Sequence, residues 1–227
     1  MSVAVICCRM LENELKKIYK EENITAPIFW LDAGLHNAPE KLHTELQILL
    51  DSLSDDITRV ILLYSLCGQA VLGLKTRDFE LIMPRTDDCI ALLLNGNANK
   101  IKNNGTFFLT DRWIEDEKSV MNEYKYALEK YGPNRCEKIF KRQFAHYSVL
   151  GLLDTGCYDV NALVERTSSI SNTLELTQRI IHTDCAMLRK LIQLAESDIG
   201  PLPDFSTDDY IFIEKNSEIT REMFSRM

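Results

Sequence analysis

A chain of 227 residues is long enough for one large domain or two small ones, at roughly 100 to 200 residues per domain, and can bury a sizeable core. With 45% hydrophobic and 26% charged residues it has the composition of a folded globular protein, which excludes a disordered or collagen-like chain. Acidic residues outnumber basic ones by 34 to 26, a formal charge of -8, so the basic footprint that grips a phosphate backbone is missing and nucleic acid is not an expected partner.

Short β-rich runs alternate with helical patterns, the signature of βαβ units. The expected fold is a Rossmann-like α/β domain over residues 1–227, with about six strands in a largely parallel open sheet and helices on both faces. Val3 to Cys8 reads as the first strand, followed by a helix near Met10 to Glu21 with Leu11, Leu15 and Ile18 at helical spacing. Pro27 to Asp32 is a second strand, and Pro39 opens a helix to about Leu53 striped by Leu42, Leu46, Leu49 and Leu50. The run Arg59 to Tyr64 is apolar enough to be covered on both faces and is expected at the sheet's centre. Glu80 to Met83 forms a shorter strand, after which Asp87 or Asp88 caps a helix through Ile90 and Leu94 to Gly96, and a polar loop covers Asn95 to Gly105.

Beyond Thr106 to Thr110, two helices near Lys118 to Tyr131 and Arg135 to Phe144 flank the breaker Gly132-Pro133, giving a helical insertion around 114–146. Strands at Ser148 to Leu153 and Leu176 to His182, a helix from Ala186 to Ala195, an extended connection marked by Pro201 and Pro203, and an edge strand at Tyr210 to Ile213 complete the reading.

No apolar run reaches the roughly 18 to 20 residues needed to cross a bilayer, so no membrane association is expected. The start, Met1-Ser2-Val3-Ala4-Val5-Ile6, reads as a core strand rather than a leader, and a cytoplasmic address is the expectation. Seven cysteines, an odd number, are too few for a disulfide scaffold and suit a reducing compartment. There is no CxxC and no HExxH, so any metal site has to be assembled from distant parts of the chain.

Ligands in open α/β sheets bind beyond the carboxyl ends of the strands. Here those ends carry Cys7-Cys8, then Asp32 with His36 close behind, then Cys67-Gly68, then Asp87-Asp88-Cys89. If these strands are neighbours, Cys8, Cys67, Cys89 and His36 form a Cys3His set suited to zinc, or three thiolates suited to an iron-sulfur cluster. Free cysteine also packs as a small hydrophobe, so each thiol taken singly fits a core role as well. Gly68 and Gly73 allow close backbone approach of a cofactor or anion, though the surrounding residues form neither GxGxxG nor a Walker motif. Arg85 can clamp a carboxylate or phosphate, and Asp154 can bind a ligand or cap a turn. Nothing resembles a nucleophile elbow.

At these same segments the chain resembles an uncharacterised prokaryotic family, the domain of unknown function numbered sixteen thirty-eight. The resemblance is carried by Cys8 with Glu14-Leu15; Leu31-Asp32 through Leu35-His36-Asn37 to Pro39; and Tyr64 with Cys67-Gly68 and Gly73-Leu74. It continues through Pro84-Arg85 with Asp88-Cys89-Ile90, Gly105-Thr106 with Thr110 and Trp113, and Leu153-Asp154-Thr155-Gly156. It implies that Cys8, His36, Cys67 and Cys89 are the candidate site, in a setting near corrinoid and methyl-transfer enzymes. The chain departs from the family pattern at Ser65, where glycine is usual, at Asp87, which replaces a frequent histidine, and at Asp111-Arg112, which replace Pro-Gly.

The expectation is therefore a zinc-binding protein in which the metal activates a thiol for corrinoid-linked methyl transfer, with Arg85 and Asp154 orienting a small-molecule substrate and a corrinoid protein as partner. A non-catalytic accessory protein holding a metal, a cluster or a corrinoid partner is the alternative, and a redox thiol protein is a third reading.

Overall fold

The computed structural model describes residues 2–96, 105–195 and 209–225. Its elements run β1 (Ser2–Cys8), α1 (Glu12–Glu22), β2 (Ile28–Leu31), α2 (Pro39–Ser52), β3 (Ile57–Leu63), β4 (Glu80–Pro84) and α3 (Cys89–Leu93). Then follow β5 (Thr106–Leu109), α4 (Asp111–Glu115), α5 (Val120–Tyr131), α6 (Pro133–Gln143), β6 (Val149–Asp154), α7 (Val160–Leu174), β7 (Thr177–His182), α8 (Ala186–Gln193) and β8 (Tyr210–Ile213). The extended connection read at Pro201 and Pro203, and residues 97–104 of the polar loop, lie outside the described residues. Among the described residues no helix is long and apolar enough to cross a membrane.

The chain divides into two compact units, residues 1–96 with 185–227, and residues 97–184. The first holds a five-stranded sheet in the order β2-β1-β3-β4-β8. Its first four strands are parallel, and β3 stands at the centre as its unbroken apolar run requires: Val60, Ile61 and Leu62 are fully buried. Register aligns the strand ends. Cys8 lies beside Leu31 of β2, Cys7 beside Leu63 of β3, and Ile61 beside Ile82 of β4, so the carboxyl ends of β1 to β4 share one edge. Toward the opposite edge, Arg59 on β3 is buried and joined to its register partner Glu80 on β4, Nη2 to Oε2 at 3.1 Å. Pairing keeps that buried charge from being uncompensated.

The second unit holds a parallel sheet in the order β5-β6-β7. Ser119 and Pro133 start α5 and α6, which pack as the expected hairpin, and Tyr124 meets Phe140 edge to face at 5.1 Å between ring centroids. Their core closes around Cys136, Phe140, Leu150, Leu152 and Leu163.

The α/β class stands, but the single sheet of about six strands does not: the described residues form eight strands in sheets of five and three. The physical reason lies at β4. Its outer edge is covered by β8, which runs antiparallel from Leu81↔Ile213 to Pro84↔Tyr210, so the parallel ladder stops there. The segment from Thr106 pairs instead with β6 and seeds a second sheet.

Candidate metal centre

Each thiol of interest is set by local backbone geometry. β1 ends on Cys8, whose Sγ accepts from the Met10 N–H at 3.5 Å and so caps the turn Arg9–Leu11. Cys7 is fully buried, and its thiol donates to the Cys8 carbonyl at 3.3 Å.

β3 runs through buried Tyr64 and Ser65 into a tight turn in which Cys67, Gly68 and Gln69 have φ of 46°, 65° and 77°. A left-handed conformation is costly for a cysteine and persists only where the surroundings enforce it. Two backbone bonds do so, Leu66 N–H to Thr86 O at 2.9 Å and Cys67 N–H to Asp87 O at 3.0 Å. They lace the turn after β3 to the segment after β4. At 68, where φ is 65°, any side chain would be strained, and a Cβ there would also stand 3.1 Å from Pro39 Cγ at the start of α2.

Asp88 then caps α3, its Oδ1 accepting from Ala91 N–H at 2.8 Å, which fixes Cys89 as the first helical residue.

The result is a group of three thiols in mutual electrostatic range, with Asp88 beside two of them. Burial pushes the Cys67 thiol up to about 12, with further contributions from Cys8 and Asp88. Burial also raises Cys89 well above the ordinary thiol range, followed by repulsion from Cys67, Cys8 and Asp88. A buried anion beside other anions is costly, so these side chains rest as neutral thiols, and a thiophilic cation would reverse the preference. Donor chemistry therefore fits zinc or another thiophilic metal. Among the described residues, however, no group of three or more His, Cys, Asp or Glu side chains is placed so that it could hold a metal ion.

His36 lies in the turn Ala33–Asn37 after β2, started by Asp32, whose Oδ1 accepts from Gly34 N–H at 2.9 Å. Its Nδ1 donates to Ala33 O at 2.5 Å. The fold puts His36 at the same edge of the sheet as the thiols without bringing it into a coordinating group with them. His43 on α2 is half-buried and bonded through Nδ1 to Ala70 O at 3.0 Å.

The remaining candidates are engaged elsewhere. Gly73 has φ of 84° and donates its N–H to Ile219 O, closing a turn onto the C-terminal segment. Arg85 reaches the carbonyls of Tyr210 and Ser225, each at 3.4 Å, while its buried Nε makes no hydrogen bond. Asp154 belongs to the second unit, at the end of β6. It accepts from Gly156 N–H at 3.0 Å and pairs with His182 Nδ1 at 2.9 Å, so it caps a turn and orients an imidazole. At the departures from the family pattern, Ser65 Oγ meets Thr86 Oγ1 at 2.6 Å, and Asp111 pairs with Arg166 at 2.8 Å. None of the seven cysteines is joined in a disulfide.

Two residues that the resemblance names without a role are also buried within interaction range of these thiols. Tyr64 is 3% exposed, its hydroxyl is buried without a well-formed hydrogen bond, and it lies in interaction range of Cys8, Cys7 and Cys67. Burial, then those neighbours, push its phenol far above the ordinary range. Glu14, 2% exposed on α1, acts on Cys7 in the same way.

A family model described as protein of unknown function (DUF1638) matches residues 30–192. No curated protein and no solved structure matches the chain.

Proposed function

The chain belongs to the DUF1638 family of proteins of unknown function, and from that premise we propose that the strand-end thiols Cys8, Cys67 and Cys89 hold a zinc ion, with His36 as fourth or outer ligand. The reading is carried by one observation: three cysteines, distant in sequence, lie at the end of β1, in the turn after β3 and at the start of the helix after β4, and the segments after β3 and β4 are hydrogen-bonded to each other. When bound, the metal would hold a thiol substrate deprotonated at neutral pH. The side chains do the rest. Cys8, Cys67 and Cys89 would give up their protons on loading, and the capped start of α3 fixes the backbone position of Cys89.

The reaction that suits such a site is methyl transfer from a methylated corrinoid carried by a partner. The substrate thiol loses its proton to solvent and its sulfur forms the new S–C bond. The electron pair of the broken C–Co bond stays on cobalt, which falls from Co(III) to Co(I). Zinc-loaded protein is expected to speed demethylation of methylcobalamin by a small aliphatic thiol at least tenfold over metal-free protein, read from the corrinoid spectrum. Equal rates would remove the transfer step and favour an accessory, non-catalytic role for the bound metal.

A further inference from the structure

On the hairpin of α5 and α6, in the second unit, three large hydrophobic side chains stay exposed: Tyr126 at 58%, Tyr131 at 39% and Ile139 at 40%. They alternate with cations. Lys130 Nζ stands 5.0 Å from the centre of the Tyr126 ring and 5.3 Å from that of Tyr131, and it donates to the Tyr126 hydroxyl at 2.8 Å. The Arg135 guanidinium stands 5.1 Å from the centre of the Tyr131 ring. Tyr126, Lys130, Tyr131 and Arg135 thus form a row that crosses the turn at Gly132. Lys138, Ile139 and Arg142 extend it along α6, at i+3, i+4 and i+7 from Arg135, while Cys136 and Phe140 are buried on another face. Residues 126–142 hold five Lys or Arg against two Glu, in a chain whose formal charge is -8. Lys141 pairs with Glu137 at 3.0 Å and with Glu175 at 2.5 Å, whereas Lys130, Arg135, Lys138 and Arg142 pair with no carboxylate among the described residues.

We propose that this row of rings and unpaired cations is a docking surface for an acidic segment of a partner protein. Tyrosine and arginine are the side chains that most often dominate binding at protein interfaces, and a guanidinium takes a carboxylate through two parallel bonds. The rings already hold Lys130 and Arg135 in place, so these long side chains lose less freedom on binding than free ones would. Charge decides the occupant. A second copy docked through the same face would set cation against cation, and the acidic chain as a whole repels a nucleic acid. The inference is independent of the metal reading, because the row lies wholly in the second unit.

The test measures fluorescence anisotropy of a labelled peptide of Glu, Leu and Phe titrated with the full chain. The same peptide with Lys in place of Glu, a single-stranded oligonucleotide and phosphatidylserine vesicles are run beside it. Wild type is expected to bind the acidic peptide, more weakly as salt is raised, and none of the other three. Lys130→Glu with Arg135→Glu is expected to weaken that binding at least about tenfold. Tyr131→Ala, which leaves the charge unchanged, is expected to weaken it as well. Lys20→Glu with Lys215→Glu makes the same change of net charge at exposed positions of the first unit and is expected to stay within about twofold of wild type. All these side chains are exposed, so the variants should fold, as thermal melts check. The proposal is overturned if wild type leaves the acidic peptide unbound, if the two charge-reversed proteins bind it equally, or if the oligonucleotide or the vesicles bind in its place.

Discussion

Replacing Cys8, Cys67 and Cys89 together by serine is expected to reduce bound zinc from about one equivalent per chain to none, measured by elemental analysis after anaerobic purification. Serine keeps the volume of each side chain but not the ligand, because its hydroxyl does not ionise near neutral pH. Binding energies of four-ligand zinc sites near 12 kcal/mol, shared equally, leave about 3 kcal/mol per ligand. That is roughly a hundredfold in affinity for one change and complete loss for three. The circular dichroism spectrum should survive, because serine nearly preserves the volume of each side chain and all three positions lie at the ends of elements or in a turn. Zinc retained at wild-type stoichiometry would mean that the metal sits elsewhere.

The second large effect is on stability and belongs to the other unit. Gly151 lies in β6, the middle strand of its sheet, beside Phe108 of β5. A Cβ at this position would stand 2.8 Å from Thr106 Cγ2 and 3.0 Å from both Ile181 Cδ1 and Phe108 Cδ1. Thr106 is β-branched and stiff, so little can give way. Gly151→Val adds two further methyls to that contact, and overpacking of this kind costs about 3 kcal/mol. For a chain of this size that is a fall in melting temperature of roughly 6 to 12 °C by thermal denaturation. An unchanged melting temperature would contradict the close packing of β5, β6 and β7.

Local patterns in the sequence reveal what local physics controls. The continuous apolar run at Val60 to Leu63 marks a strand covered on both faces, and β3 is central. Asp88 before Cys89-Ile90 reads as a cap and is one. Pairing between distant segments is not written locally, so the division into two sheets was hidden: it depends on β8 returning to β4 and on Thr106–Leu109 choosing β6. Helix α7 escaped notice for a different reason. Thr167, Ser168, Ser171 and Thr173 are poor helix formers that compete for backbone bonds, yet here their hydroxyls bond back to carbonyls three or four residues earlier. The signal that was present is Asp159 followed by Leu163, Ile170 and Leu174 on one face.

At the candidate site, the thiols were visible because strand ends can be read from strand positions. The burial of the Tyr64 hydroxyl was not, because it depends on what packs around the end of β3. The engagement of Arg85 was equally hidden, since its partners Tyr210 and Ser225 lie more than a hundred residues away in sequence.

The central claim is that the edge formed by Cys8, Cys67 and Cys89 is a metal centre. It is tested most directly by metal content and ultraviolet-visible absorption of the full chain purified without oxygen and reconstituted with zinc. The account predicts about one zinc per chain and no visible chromophore. Metal-free, colourless protein after reconstitution would contradict it and return the three thiols to the core, and a brown chromophore would replace zinc with an iron-sulfur cluster.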